Sequence, residues 1–304
     1  MKLGVIGGAG LLGSTTAFCV GMRDVLEEIK LLDLKENVLE AHVMDMSQAL
    51  LPVSKTKVTK ADYEDLGDCD IILVTASLPE RQVANRNEYL TGNLGVVTPI
   101  CEKLKAVCKK DAILISATNP VDVFTYVYWK LLGWDKSKVL GFCVNDTLRF
   151  KWAIEEVTGK EFSKLDAMCI GEHGDGQVRL YNHVTYDGKP MEISQEERTA
   201  IEEATANWFR TWQQLDSKRT TGWTSGVMLA DMIEAIATDS KAVIPVSVVM
   251  DGFKGYDHVA MGMPGVFSKE GVTKLIDVEL TDEGKAQLDK TACKIEDMLK
   301  SIDM

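Results

Sequence analysis

The chain of 304 residues has seven cysteines, an odd number, with no Cys-x-x-Cys pair among them. That spacing fits neither a zinc site nor a disulfide framework, and reads as buried thiols in a reducing compartment. Histidine is scarce, with four residues. Three of them, His42, His183 and His258, have no thiol or carboxylate at ligand spacing, so no metal is expected. No apolar run is long enough to span a bilayer. Lys2 to Ile6 reads as a strand from the start, which leaves no room for a signal peptide. These absences together point to a cytoplasmic protein with no membrane partner. Positive charge is also short, 34 Lys and Arg against 46 Asp and Glu, for a net charge of −12. Nucleic acid, which demands clustered cations, is therefore not an expected partner. An anionic ligand would have to be gripped locally by arginines, because the molecule as a whole repels it. No low-complexity tract or fixed-period repeat occurs.

What is present is an ordinary globular composition, 45% hydrophobic and 26% charged, in a chain long enough for two medium domains. The first half alternates strand and helix. Strands are expected at Lys2–Ile6, Ile29–Asp33, Asp70–Thr75, Ala112–Ser116 and Val139–Phe142, with helices between them. The near-continuous apolar run from Asp70 to Thr75 is that of a parallel strand covered on both faces. This alternation predicts an α/β, Rossmann-type doubly wound parallel sheet. The second half predicts a mixed α/β unit: a helix from near Asp146, a hairpin turning at Asp187-Gly188, and helices over 195–215 and 224–237. Antiparallel strands at 243–250 and within 262–280 follow, then an amphipathic helix over 281–303. The boundary is placed near Val144, giving units 1–144 and 145–304 packed about a cleft.

Three constellations carry chemistry. Gly8-x-Gly10-x-x-Gly13 follows a strand and opens a helix, so backbone N–H groups and the helix dipole can meet a pyrophosphate. Asp33, twenty residues beyond Gly13 at the end of the second strand, can accept from a ribose diol and would repel a 2′-phosphate, favouring NAD over NADP. The alternative for Asp33 is a solvated strand end or a cap for the next helix. Finally, His173, in Ile170-Gly171-Glu172-His173-Gly174-Asp175, joins Asp146 and Arg149 of Asp146-Thr147-Leu148-Arg149-Phe150, and Arg86. Histidine, carboxylate and two arginines behind a nucleotide fingerprint suit hydride transfer to a 2-oxo acid or from a 2-hydroxy acid. Each has a bland reading, Arg149 as a structural partner of Asp146 and Arg86 as a solvated charge. Trp208 and Trp212, four apart on a helix, read as core or interface.

In order and spacing these stretches, with Asp45-Met46-Ser47-Gln48-Ala49, Val74-Thr75-Ala76, Asn119-Pro120-Val121-Asp122 and Thr220-Thr221-Gly222-Trp223, resemble the L-lactate/malate dehydrogenase family over nearly the whole chain. The resemblance implies an NAD-dependent oxidoreductase acting on the CH–OH group of small 2-hydroxy acids, assembled as a homodimer or homotetramer. It implies His173 as the acid/base, with Asp146 holding its imidazole. Arg149 becomes the bidentate carboxylate grip, and Arg86 the loop arginine that polarises the substrate carbonyl. Asn119 orients substrate, and Thr221 matches the pocket threonine of the lactate type. The cofactor would meet Gly8, Ala9, Gly10, Leu11, Leu12, Gly13, Asp33, Ala76, Asn93, Ala117, Thr118 and Asn119.

The departures bear on substrate choice. The position that carries arginine in malate enzymes and usually glutamine in lactate enzymes is Glu80 here, followed by Arg81. Ser77, Gln82 and Ala84 replace the usual glycines and proline of that loop, and the turn after Gly141 is one residue short. Ser225 is smaller and more polar than the usual residue against the nicotinamide. A basic pair that binds a sugar bisphosphate in some bacterial relatives corresponds to Lys151 and Asp166, and the acid argues against that regulation. Three alternatives stay open: a malate dehydrogenase whose Arg81 reads the substrate, a non-catalytic NAD-binding regulator, and the related NAD- and metal-using glycosidase branch.

Overall fold

The computed structural model describes residues 1–78, 86–217 and 219–304, and the side chains of these apart from 86–89. The first half runs β1 (Lys2–Ile6), α1 (Leu11–Gly21), β2 (Glu28–Leu32), α2 (Glu36–Leu50), β3 (Lys57–Lys60), β4 (Ile71–Val74), α3 (Arg86–Val107), β5 (Ile113–Ser116), α4 (Val121–Leu132) and β6 (Val139–Gly141). Its strands are parallel and lie in the order β3-β2-β1-β4-β5-β6. Every residue of β4 and β5 is buried, because helices cover both faces. Strand order reverses between β1 and β4, and such a switch point opens a crevice at the strands' carboxyl ends.

The second half continues with α5 (Val144–Thr158), β7 (Leu165–Asp166), β8 (Cys169–Gly171), β9 (Gln177–Arg179) and the short pair β10 (Thr185–Tyr186) and β11 (Lys189–Pro190). After it come α6 (Gln195–Gln214), α7 (Gly222–Ala237), β12 (Val243–Asp251), β13 (Asp257–Ser268), β14 (Gly271–Leu275) and α8 (Asp282–Lys300). The expected hairpin forms: Asp187 and Gly188 take φ of 52° and 71° between β10 and β11, the two positive values of a tight turn. Helix α6 starts at a capping box, Ser194 Oγ accepting from Glu197 N–H while the Glu197 carboxylate accepts from Ser194 N–H; this satisfies two otherwise orphaned donors.

Two features differ from expectation. The edge strand β3 has a single buried residue, Val58, too weak an alternation to announce a strand. More consequentially, the sheet does not stop at β6. Ser247 of β12 pairs with Gly141 of β6, and β13, β8 and β9 extend the same sheet antiparallel. One large apolar core therefore spans both halves, and a smaller cluster around Phe150, Ile154 and Ile201 lies between α5 and α6.

Candidate active site

The glycine loop closes on itself after β1. Gly7 has φ +98°, and a Cβ at Gly13 would fall 2.3 Å from the Gly7 carbonyl oxygen, so only glycine lets α1 begin this close to the strand. Gly10 caps α1 without a side-chain hydrogen bond, leaving the first-turn N–H groups of Leu11, Leu12 and Gly13 for an outside acceptor. Asp33 is half-buried beside this loop. It accepts from Ala9 N–H at 3.0 Å and from Lys35 N–H at 3.0 Å, so it fixes the loop and still has lone pairs for a diol. The bland reading of Asp33 is thus partly realised, in a position beside the glycine loop.

On the other side of the crevice, Ala76 and Ala117 are half-buried at the ends of β4 and β5. Thr118 is fully buried and its hydroxyl donates to the Ala76 carbonyl at 2.9 Å. Asn93 is fully buried as well, accepting from Leu78 N–H at 2.8 Å and donating to the Asn119 carbonyl at 2.9 Å. It braces the segments that follow β4 and β5.

A cleft of about 530 Å³ runs from Leu12 and Ala117 past Asn119 to Asp146, Arg149, His173 and Thr221. His173, just beyond β8, and Asp146, in the first turn of α5, lie on elements distant in sequence. Asp146 Oδ2 accepts from His173 Nδ1 at 2.6 Å, which leaves Nε2 as the other proton-carrying position. Asp146 is 5% and His173 18% exposed, so the pair is nearly dry. Burial by itself would lower the His173 pKa, but the charge and hydrogen bond of Asp146 outweigh it and hold the imidazole above its ordinary value.

Sequence reasoning missed how the histidine is held. The Asp122 carboxylate accepts His173 N–H at 2.7 Å and the Ser247 hydroxyl at 2.6 Å. Burial pushes Asp122 up to about 7, against the pull of those two hydrogen bonds. From the opposite side, buried Glu172 accepts from Lys294 of α8 at 2.5 Å and from Gly176 N–H at 2.9 Å. The loop bearing His173 is thus pinned to α4, β12 and α8 together.

Arg149 sits one turn beyond Asn145 on α5, 11% exposed, with Nη1 3.5 Å from Asp146 Oδ1. Its guanidinium carbon lies 4.9 Å from the Trp208 ring centroid and 4.7 Å from that of Phe209. Trp208 stacks on Trp212 at 5.4 Å. These aromatics are not core: they are partly exposed and form the α6 wall of the cleft. That excludes the core half of the core-or-interface reading, and the physical reason is a cation–π platform against the Arg149 guanidinium. Their i, i+4 spacing on an otherwise polar helix was the available signal. Glu80 and Arg81 lie outside the described residues, and Arg86 is described only as the first residue of α3. Among the described residues no helix is long and apolar enough to cross a membrane.

Comparison with known proteins agrees along the whole chain. Residues 1–141 match the model of the lactate/malate dehydrogenase NAD binding domain, and residues 145–303 that of the lactate/malate dehydrogenase alpha/beta C-terminal domain. An L-lactate dehydrogenase of Latilactobacillus sakei is 28% identical, over 97% of this chain and 93% of that protein. A malate dehydrogenase of Symbiobacterium thermophilum is 32% identical, over 99% and 96%. The solved malate dehydrogenase of Aeropyrum pernix superposes with a TM-score of 0.91 at 28% identity, covering 98% of this chain and 97% of that one. With fingerprint, switch-point crevice and histidine–aspartate pair in one cleft, the chain belongs to the lactate/malate dehydrogenase family and is an NAD-dependent 2-hydroxy acid dehydrogenase.

Proposed function

We propose that His173 is the acid/base of the reaction, exchanging a proton with the substrate oxygen, and that Arg149 binds the substrate carboxylate. The observation that carries this is the 2.6 Å contact between His173 and Asp146 in the cleft that Arg149 also lines. Asp146 fixes the tautomer in which Nε2 is the exchanging position and stabilises the imidazolium once the proton is taken up. Arg149 makes no hydrogen bond to the described residues, so its fork is available for bidentate contact. Asn119 and Thr221 orient the substrate, and Arg86 polarises its carbonyl. NAD, when bound, supplies the hydride acceptor in one direction and the donor in the other. Residues 1–144 form the unit that binds it, and 145–304 the unit that binds substrate.

Asp33 makes a direct prediction about the cofactor. A second negative charge placed about 4 Å from it, at an effective dielectric near 20, costs about 4 kcal/mol. NADPH should therefore be used at least about a hundredfold less well than NADH, by kcat/KM at saturating substrate, and parity would overturn the role.

The substrate reading rests on Glu80, where the chain departs from its family. The same charge arithmetic against a dicarboxylate gives roughly a thousandfold disfavour for oxaloacetate. A panel of neutral, anionic and cationic 2-oxo acids, followed by NADH oxidation, tests it. Oxaloacetate should be poor with the native enzyme and gain most in Glu80→Arg, whereas Glu80→Gln should favour pyruvate. If the native enzyme prefers oxaloacetate, Arg81 is the reader and the enzyme a malate dehydrogenase.

A homodimer or homotetramer in the cytoplasm completes the proposal. Its support is an apolar strip on the packed pair α1 and α7, where Phe18, Met22, Trp223 and Val227 are exposed.

A further inference from the structure

Asn145, the second residue of α5, is 3% exposed, lines the cleft, and has one end of its amide without a partner. Its Nδ2 donates to Ser225 Oγ at 2.7 Å, and Ser225 Oγ lies 3.2 Å from Thr221 Oγ1. Oδ1 is buried and makes no hydrogen bond among the described residues. Turning the amide over would let Ser225 donate to Oδ1 and would leave Nδ2 open instead, so either orientation presents an unsatisfied polar end. Such a group is costly in a native interior and calls for a ligand atom.

Position in the cleft selects the ligand. Helix α7, which follows Thr221 and carries Ser225, rests on the start of the fingerprint helix. A Cβ at Gly222 would fall 2.5 Å from Leu11 Cγ, and one at Gly226 2.6 Å from Thr15 Cγ2. Asn145 is tied to this dinucleotide side of the cleft through Ser225, whereas Arg149 and the α6 aromatics stand one helical turn further along. The nicotinamide ring must bring its reacting carbon toward His173, and its carboxamide is on the adjacent ring carbon. A carboxamide offers both an acceptor and donors, so it complements Asn145 in either amide orientation.

We propose that Asn145, held by Ser225, anchors the carboxamide of the nicotinamide ring and so positions the reacting face. The inference rests on NAD being the cofactor. Equilibrium binding by fluorescence or calorimetry, with NADH and with ADP-ribose, which lacks the ring, tests it without turnover. Asn145→Leu, close in volume, should weaken NADH about tenfold and leave ADP-ribose unchanged. Ser225→Ala keeps the amide but loosens it, and should give a smaller loss confined to NADH. Equal loss of both ligands would make Asn145 a packing residue, and unchanged NADH affinity with a raised 2-oxo acid KM would assign the open amide to substrate; each overturns the proposal. Failure of the native protein to bind NADH would instead remove the cofactor reading itself.

Discussion

His173→Ala should lower turnover by about 10²- to 10⁴-fold, the range supplied by a positioned general acid–base group, while NADH affinity stays within a few-fold. In the proposed mechanism the imidazole carries the moving proton, whereas the dinucleotide meets the glycine loop between β1 and α1. Rapid-mixing kinetics and NADH titration on the same preparation check both halves; near-native turnover would end the assignment. The companion variant Asp146→Asn tests the electrostatics. In the native protein Asp146 holds the His173 pKa above its ordinary 6.5 against the opposing effect of burial. Reduction of a 2-oxo acid needs the protonated imidazole, so kcat/KM should fall as pH rises through that elevated pKa. Removing the carboxylate's charge lets burial prevail and moves the falling limb to lower pH. Arg149 also lowers the His173 pKa, and Asp122 raises it; both are unchanged in this variant. An unmoved midpoint would show that Asp146 is not the source of the shift.

Arg149→Ala should raise the 2-oxo acid KM and reduce kcat/KM by about two to four orders of magnitude. Removing one partner of a buried ion pair costs about 3–5 kcal/mol, at about 1.36 kcal/mol per factor of ten. Arg149→Lys should recover little, because an ammonium cannot reproduce the planar fork that lies against Trp208 and Phe209. Steady-state kinetics over a wide substrate range separates KM from kcat; an unchanged KM would place the carboxylate elsewhere.

Much of this architecture was legible in local pattern. The glycine loop and the Asp187-Gly188 turn depend on neighbours within a few residues, and the strand–helix alternation is a succession of such local patterns. Lys57–Lys60 was not legible, since one buried valine is no periodicity. Nor was the continuity of the sheet through β6 and β12, because a single register pair between distant strands leaves no mark in either stretch. The pairing of His173 with Asp146, expected from family likeness, forms, but its supports were not legible. Asp122 and Glu172 sit inside stretches that drew attention for other reasons, and their partners Ser247 and Lys294 lie 125 and 122 residues away. The aromatic wall showed its helical spacing plainly, but spacing alone does not say whether such a stripe faces a core or a cleft.

The shared sheet also bears on how the chain is made. Strand β6 receives its outer neighbour only when Ser247 comes to lie against Gly141, about a hundred residues later on the ribosome. Until then the nascent first half carries a bare strand edge, which is a template for pairing with another chain. Synthesis therefore passes through an interval when the β6 edge lacks its neighbour, and the arrival of β12 closes it. The cover for that edge is thus supplied by the carboxyl-terminal half, the last part of the molecule to be made.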